Sequence, residues 1–150
     1  MRAINHAMTG AIIGLSVAAP VAIPLALASH FALDALPHEG NLGLSHKGNT
    51  ALLSVDIALC FVLVIIIFAI SPQYWWLAIL CAFLATSPDF MWISVHKNHA
   101  KGKTPKPISE RHVVVRLHHK VQWFQQPVGL IVEVAWAIIT GLCLYFLLRS

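Results

Sequence analysis

The sequence predicts an all-α, polytopic membrane protein that forms one transmembrane domain over residues 1–150. Three observations lead to this fold class: 58% of the residues are hydrophobic, only 11% are charged, and the mean hydropathy is +0.75. A soluble domain has about 25% charged residues and is roughly half apolar. We therefore expect about five helical segments, an N-terminal hairpin and three further spans, together with one amphipathic interfacial helix.

Two apolar runs near the start of the chain predict the hairpin. The first run is Ala3 to Ala19 and the second is Val21 to Leu36. Pro20 and Pro24 interrupt the apolar sequence where the second run begins. Each run covers about 25 Å at 1.5 Å per residue. One kinked span is the alternative to a hairpin. Small residues in the first run favour close helix packing: Ala7, Gly10, Ala11 and Gly14.

The later elements follow from further apolar runs. A loop is expected at Asn41 to Asn49, and a span from Thr50 to Ile70. Aromatic residues open the next span, which runs from residue 74 to about residue 94. The last span covers Pro127 to Leu148.

The polar segment from Val95 to Gln126 sets the predicted orientation. Seven of the ten Lys and Arg residues lie between Lys97 and Lys120, and positively charged loops stay in the cytoplasm. We therefore expect the basic loop 95–125 to be cytoplasmic, with residues 108–124 forming the amphipathic helix. Anionic lipid headgroups are the expected partners, and nucleic acid is excluded because no nucleic-acid-binding motif accompanies the charge. The oligomeric state stays open.

Ionisable side chains are predicted to gather in the cytoplasmic half of the membrane, whereas the outer half has almost none. Charges at membrane depth cost several kcal/mol each unless they are paired, bound to metal or hydrated. A layer of imidazoles and carboxylates is what a metal-centred site requires. The residues expected at this level are His6, His30, Asp34, His38, Asp56, Asp89, His118 and Glu133.

The stretch SHFALDALPHEGN, from Ser29 to Asn41, carries the strongest signal for a site. On a helix, His30 and Asp34 lie four residues apart on one face, where they can share a divalent cation. The carboxylate can instead orient the imidazole, or the pair can be a structural hydrogen bond between helices. Pro37 ends this helix, and His38 follows at its end.

Each remaining candidate has a structural alternative. Asp89 can be a turn carboxylate at a helix end, and His6 a buried core histidine. Asp56 either accepts a hydrogen bond from a neighbouring helix or acts as a general base. His118 and His119 point about 100° apart on a helix, so at most one of them faces the site.

Four motifs carry a resemblance to a known family: NHAMTGAIIG, SHFALDALPH, SPD and LHHKVQWFQQPVG. Over most of its length the chain is similar to small bacterial and archaeal inner-membrane proteins identified as membrane-bound metal-dependent hydrolases. The resemblance implies an inner-membrane location and favours His118 over His119. The site residues that it implies are His6, His30, Asp34, His38, Asp89 and His118.

A second resemblance concerns the segment that begins at His30. It is similar to the signature of zinc-dependent phospholipases C, in which a His is followed four residues later by an Asp, then by a Pro and another His. Here Pro37 and His38 come early and are adjacent.

The sequence thus predicts a divalent-metal hydrolase at the cytoplasmic face that acts on a lipid or amphipathic phosphoester. The metal is expected to be zinc, with manganese or iron as alternatives. His38 or Asp56 would move the proton. The expected metal ligands are His6, His30, Asp34, Asp89 and His118.

Two other classes of protein stay open. One is a non-enzymatic protein that binds or carries metal ions or protons, and the other is a structural protein whose polar groups join helices. Whether Glu133 and His119 belong to the site is also open.

Overall fold

The computed structural model describes residues 1–38, 46–90, 112–122 and 128–149, and every regular element in these ranges is helical. The predicted all-α fold class is confirmed. In chain order the elements are α1 (Ala3–Ser16), α2 (Ala19–Asp34), α3 (His46–Ile70), α4 (Trp75–Thr86), a 3-10 turn (Ser87–Asp89), α5 (Val113–Val121) and α6 (Gly129–Leu147).

The first 36 residues form two helices, and the break between them lies earlier than the prolines predicted. The backbone is extended at Val17 and Ala18, and α2 begins at Ala19. Pro20 lies in the first turn of α2, where its missing N–H costs no helical hydrogen bond. Pro24 lies inside α2 and does not end it.

Helix α1 is the centre of the bundle and packs against α2, α3, α4 and α6. Its small residues allow the close approach to α4. A Cβ atom on Gly14 would lie 2.6 Å from Cα of Ala78, and a Cβ atom on Gly10 would collide with the carbonyl of Cys81. Alanines of α1 and α4 fill the apolar core between these helices. The glycines therefore set how near α1 lies to the residues at the end of α4.

Within the described ranges, two helices are long and apolar enough to cross a membrane, one over Lys47–Ile70 and one over Gly129–Leu147. The outer faces of both helices expose large apolar side chains. An apolar surface of this extent marks a contact with a partner or a membrane. Examples are Phe61, Ile65 and Phe68 on α3 and Ile131, Ile138 and Phe146 on α6.

Several predicted boundaries moved. Helix α3 begins at His46, inside the predicted loop Asn41–Asn49. Helix α5 covers Val113–Val121, within the predicted range 108–124, and buries Val115 and His118. The end of the span predicted to reach residue 94, and the basic loop up to residue 111, lie outside the described residues.

Candidate metal centre

Five predicted site residues meet at one end of the bundle, although they come from four separate elements. His6 lies in the first turns of α1, and His30 and Asp34 lie in the last turn and a half of α2. Asp89 ends the 3-10 turn after α4, and His118 lies on the buried face of α5. The three histidines and Asp34 are at most 1% exposed, whereas the side chain of Asp89 is 30% exposed.

Four ligand atoms of this cluster face one another. Nε2 of His30 and Nε2 of His118 are 3.0 Å apart. Oδ2 of Asp34 lies 3.2 Å from Nε2 of His30 and 2.9 Å from Nε2 of His118. Oδ1 of Asp89 lies 3.8 Å and 3.3 Å from the same two nitrogens.

These spacings fit a shared ion. Ligand atoms at about 2.0–2.1 Å from a zinc ion are roughly 3.3–3.4 Å apart in a tetrahedron. One ligand atom from each of the four residues falls in a group no more than 4.8 Å across. The cluster of His30, Asp34, Asp89 and His118 can therefore hold a metal ion.

Neighbouring groups orient the cluster. Nδ1 of His30 donates a hydrogen bond to the carbonyl of Ala85 at 2.8 Å, because a carbonyl can only accept. The lone pair of the neutral ring is then on Nε2, the nitrogen that faces the other ligands. The side-chain amide of Gln122 donates to Oδ2 of Asp34 at 3.2 Å.

The other oxygen of Asp34 faces a different set of groups. Oδ1 lies 2.7 Å from the ammonium of Met1 and 3.2 Å from Nε2 of His6. The ring of His6 stacks on that of His30, with centroids 4.2 Å apart and an interplanar angle of 25°. Within the described part of the chain neither ring nitrogen of His6 makes a hydrogen bond, so the contact with Asp34 is close but not aligned.

The carboxylates also determine the charge of His118. Burial lowers the pKa of His118, but the hydrogen bonds and negative charges of Asp34 and Asp89 outweigh burial and raise the pKa to about 9. At neutral pH the imidazolium form is therefore favoured, and a bound cation would have to replace its proton.

Asp56 and Glu133 make their contacts at the start of α1. Oδ2 of Asp56 accepts the N–H of Ala3 at 2.8 Å, and Oδ1 accepts the N–H of Ile4 at 3.0 Å. Oε2 of Glu133 accepts the N–H of Arg2 at 3.2 Å. The N-terminus of a helix presents unpaired N–H groups and a partial positive charge, which these carboxylates satisfy.

The two remaining histidine candidates differ in burial. His38 is buried and donates from Nδ1 to the carbonyl of Leu36 at 2.9 Å. Its backbone lies against Gly129, so a Cβ atom on residue 129 would collide with the backbone of His38. His119 is exposed on α5, so His118 is the member of this pair that faces the cluster.

Sequence reasoning missed the supporting groups. Gln122 follows His118 by four residues, and this spacing places both side chains on one side of a helix. The spacing could therefore have identified Gln122 from the sequence. Nothing in the sequence marks the carbonyl of Ala85, because its role depends on how α2 packs against α4.

Fold and site together define an all-helical protein with a buried His/Asp cluster that can hold a metal ion. Comparison of the chain with protein-family models, with curated proteins and with solved structures gives no match.

Proposed function

We propose that this protein is a membrane-embedded hydrolase that depends on a divalent metal and acts at the cytoplasmic face on a lipid or amphipathic phosphoester. One observation carries the proposal: ligand atoms of His30, Asp34, Asp89 and His118 converge within 4.8 Å although they come from three separate parts of the chain. Buried imidazoles and carboxylates at this spacing are costly without a cation that pairs with all of them. Zinc is the first candidate, with manganese or iron as alternatives.

The apolar exterior supports a membrane location. Helices α3 and α6 are long enough to span, and α2 and α4 are shorter apolar helices whose outer faces are also exposed. The positive-inside rule assigns the basic stretch Lys97–Lys120 to the cytoplasm. Because α5 belongs to that stretch and carries His118, we assign the cluster to the cytoplasmic side of a multi-pass inner-membrane protein.

Several groups of the chain would serve phosphoester hydrolysis. When bound, a divalent ion lowers the pKa of a coordinated water and polarises a phosphoryl oxygen. Asp89 is the partly exposed ligand, so substrate and water would approach from its side. Arg116 and Lys120 are exposed on α5 and supply positive charge for an anionic headgroup.

Proton transfer is assigned to His38 and not to Asp56. His38 is buried and donates from Nδ1 to the carbonyl of Leu36, which holds its ring in one orientation, as a positioned proton-transfer group requires. Both oxygens of Asp56 accept backbone N–H groups at the start of α1, and we therefore assign this carboxylate a structural role.

The test is hydrolysis by purified protein in detergent, loaded with zinc or manganese. The panel is phosphatidic acid, phosphatidylglycerol and a polyprenyl diphosphate, with released phosphate or headgroup as the readout. His118→Gln should lower turnover by more than about 100-fold, because it removes a ligand and not merely a group that orients one. His119→Gln is the matched control on the same helix and should keep full activity. Equal activity in the two variants would overturn the proposal.

A non-enzymatic role in binding metal ions or protons is the second candidate, and the burial of the cluster favours it. Three imidazoles and one carboxylate are at most 1% exposed, which suits storage of a cation better than turnover of a large substrate. Stoichiometric metal that is lost in His118→Gln, with no turnover of any lipid in the panel, would establish this role instead.

A further inference from the structure

The geometry points to a second divalent-cation position in the same centre, between Nε2 of His6 and Oδ1 of Asp34, so that Asp34 bridges two ions. This inference rests on the proposed metal centre and goes beyond it, because the convergent group of four ligands does not include His6.

The two oxygens of Asp34 face different partners. Oδ2 faces Nε2 of His30 and Nε2 of His118, at 3.2 and 2.9 Å. Oδ1 faces the ammonium of Met1 and Nε2 of His6, at 2.7 and 3.2 Å. A carboxylate whose oxygens face separate sets of ligands is arranged to bridge two cations.

His6 gives an independent reason for a second ion. Its ring is fully buried, and no group in the described ranges forms a hydrogen bond with either of its nitrogens. A buried polar group without a hydrogen bond costs roughly 1–3 kcal/mol, and stacking on His30 does not satisfy a ring nitrogen. A cation between Nε2 of His6 and Oδ1 of Asp34 would satisfy the nitrogen, since imidazole and carboxylate are ligands that zinc and manganese share.

The ammonium of Met1 is the competitor for this position, because it already places a positive charge 2.7 Å from Oδ1. A second ion would replace it at that oxygen. The two arrangements differ in how many ions the protein binds.

A two-ion centre narrows the class of substrate. Two-metal hydrolytic sites hold their ions roughly 3.5–4 Å apart and clamp the attacking and leaving oxygens of a phosphoryl group. A bridged pair of ions would therefore suit the phosphoester substrate of the proposed function.

The test is the number of ions per chain, measured by elemental analysis after equilibration with manganese and removal of free metal. We expect two ions per chain in the wild type, one in His6→Gln and two in the control His119→Gln. Electron paramagnetic resonance of the manganese-loaded wild type should show an exchange-coupled pair, which requires no variant and stands even if His6→Gln fails to fold.

One ion per chain in the wild type, or a six-line spectrum of isolated manganese, would overturn the second position. Folded His6→Gln that binds two ions per chain, or that binds no ion, would also overturn the second position. If lipid hydrolysis persists with a single ion, only the second position fails and the proposed function stands. A wild type that binds no metal would overturn both.

Discussion

His118 shows at the residue scale how the cluster is poised for a cation. Because Asp34 and Asp89 raise its pKa to about 9, the proton of its imidazolium holds the position that a metal would take. Binding at pH 7 should release about one proton from His118, and the apparent affinity should rise about tenfold per pH unit until pH 9. Isothermal titration in buffers of different ionisation enthalpy measures the released proton.

The same titration on His118→Gln gives the check on this prediction. The variant should show weaker binding and a flatter dependence on pH between 7 and 9, because the group that competes with the metal is gone. An unchanged pH dependence would assign the released proton to another group.

Asp56 is a second residue whose contacts the structure shows. It accepts two N–H groups at the start of α1, and hydrogen bonds to a charged group contribute about 1.5–3 kcal/mol each. Asp56→Asn should therefore lower the free energy of unfolding by about 2–4 kcal/mol, measured by denaturant unfolding in detergent.

Ser54→Ala is the control for Asp56, because Ser54 is exposed on the same helix and bonds only to the carbonyl of Thr50 among its described contacts. It should leave stability nearly unchanged. The folded fraction of Asp56→Asn should keep its metal, and loss of metal from folded protein would return Asp56 to the site.

At the element scale, the approach of α1 to α4 positions the cluster. A Cβ atom on Gly10 would lie 2.8 Å from Cβ of Ala85, whose carbonyl accepts the hydrogen bond from His30. Gly10→Ala should thus cost about 1–3 kcal/mol of stability through overpacking and also weaken metal binding.

Gly141→Ala on α6 is the matched control, since nothing lies within 4 Å of the added Cβ atom. We expect it to be neutral or to stabilise the helix by up to about 1 kcal/mol. Thermal unfolding and metal titration of both variants measure the difference. Equal stability of the two variants would show that the α1–α4 contact is not tight.

Local patterns in the sequence predicted most of the helices and the pairing of His30 with Asp34. The spacing of His30 and Asp34, the small face of α1 and the apolar runs all depend on neighbours along one helix. The partners of buried carboxylates depend on how helices pack. Asp56 has the same local signature whether it faces a substrate or the start of another helix, so its contacts with Ala3 and Ile4 could not be predicted.

For the whole molecule, the cluster lies at one end of the bundle, where α1 begins and both α2 and the 3-10 turn end. The proposed topology places this end in the cytoplasm and the turn between α3 and α4 outside. In a variant without native cysteines, a membrane-impermeant thiol reagent should label Lys120→Cys only from the cytoplasmic side. It should label Gln73→Cys only from the outer side, and labelling of both from one side would contradict the topology.

Binding of one ion by His30, Asp34, Asp89 and His118 is tested most directly by a crystal structure of the zinc-loaded protein, with data collected at the zinc absorption edge. We predict an anomalous peak about 2.0–2.2 Å from Nε2 of both His30 and His118 and from one carboxylate oxygen each of Asp34 and Asp89. A zinc-loaded crystal without a peak among these four residues, whether or not zinc is bound elsewhere, would contradict the proposed metal centre.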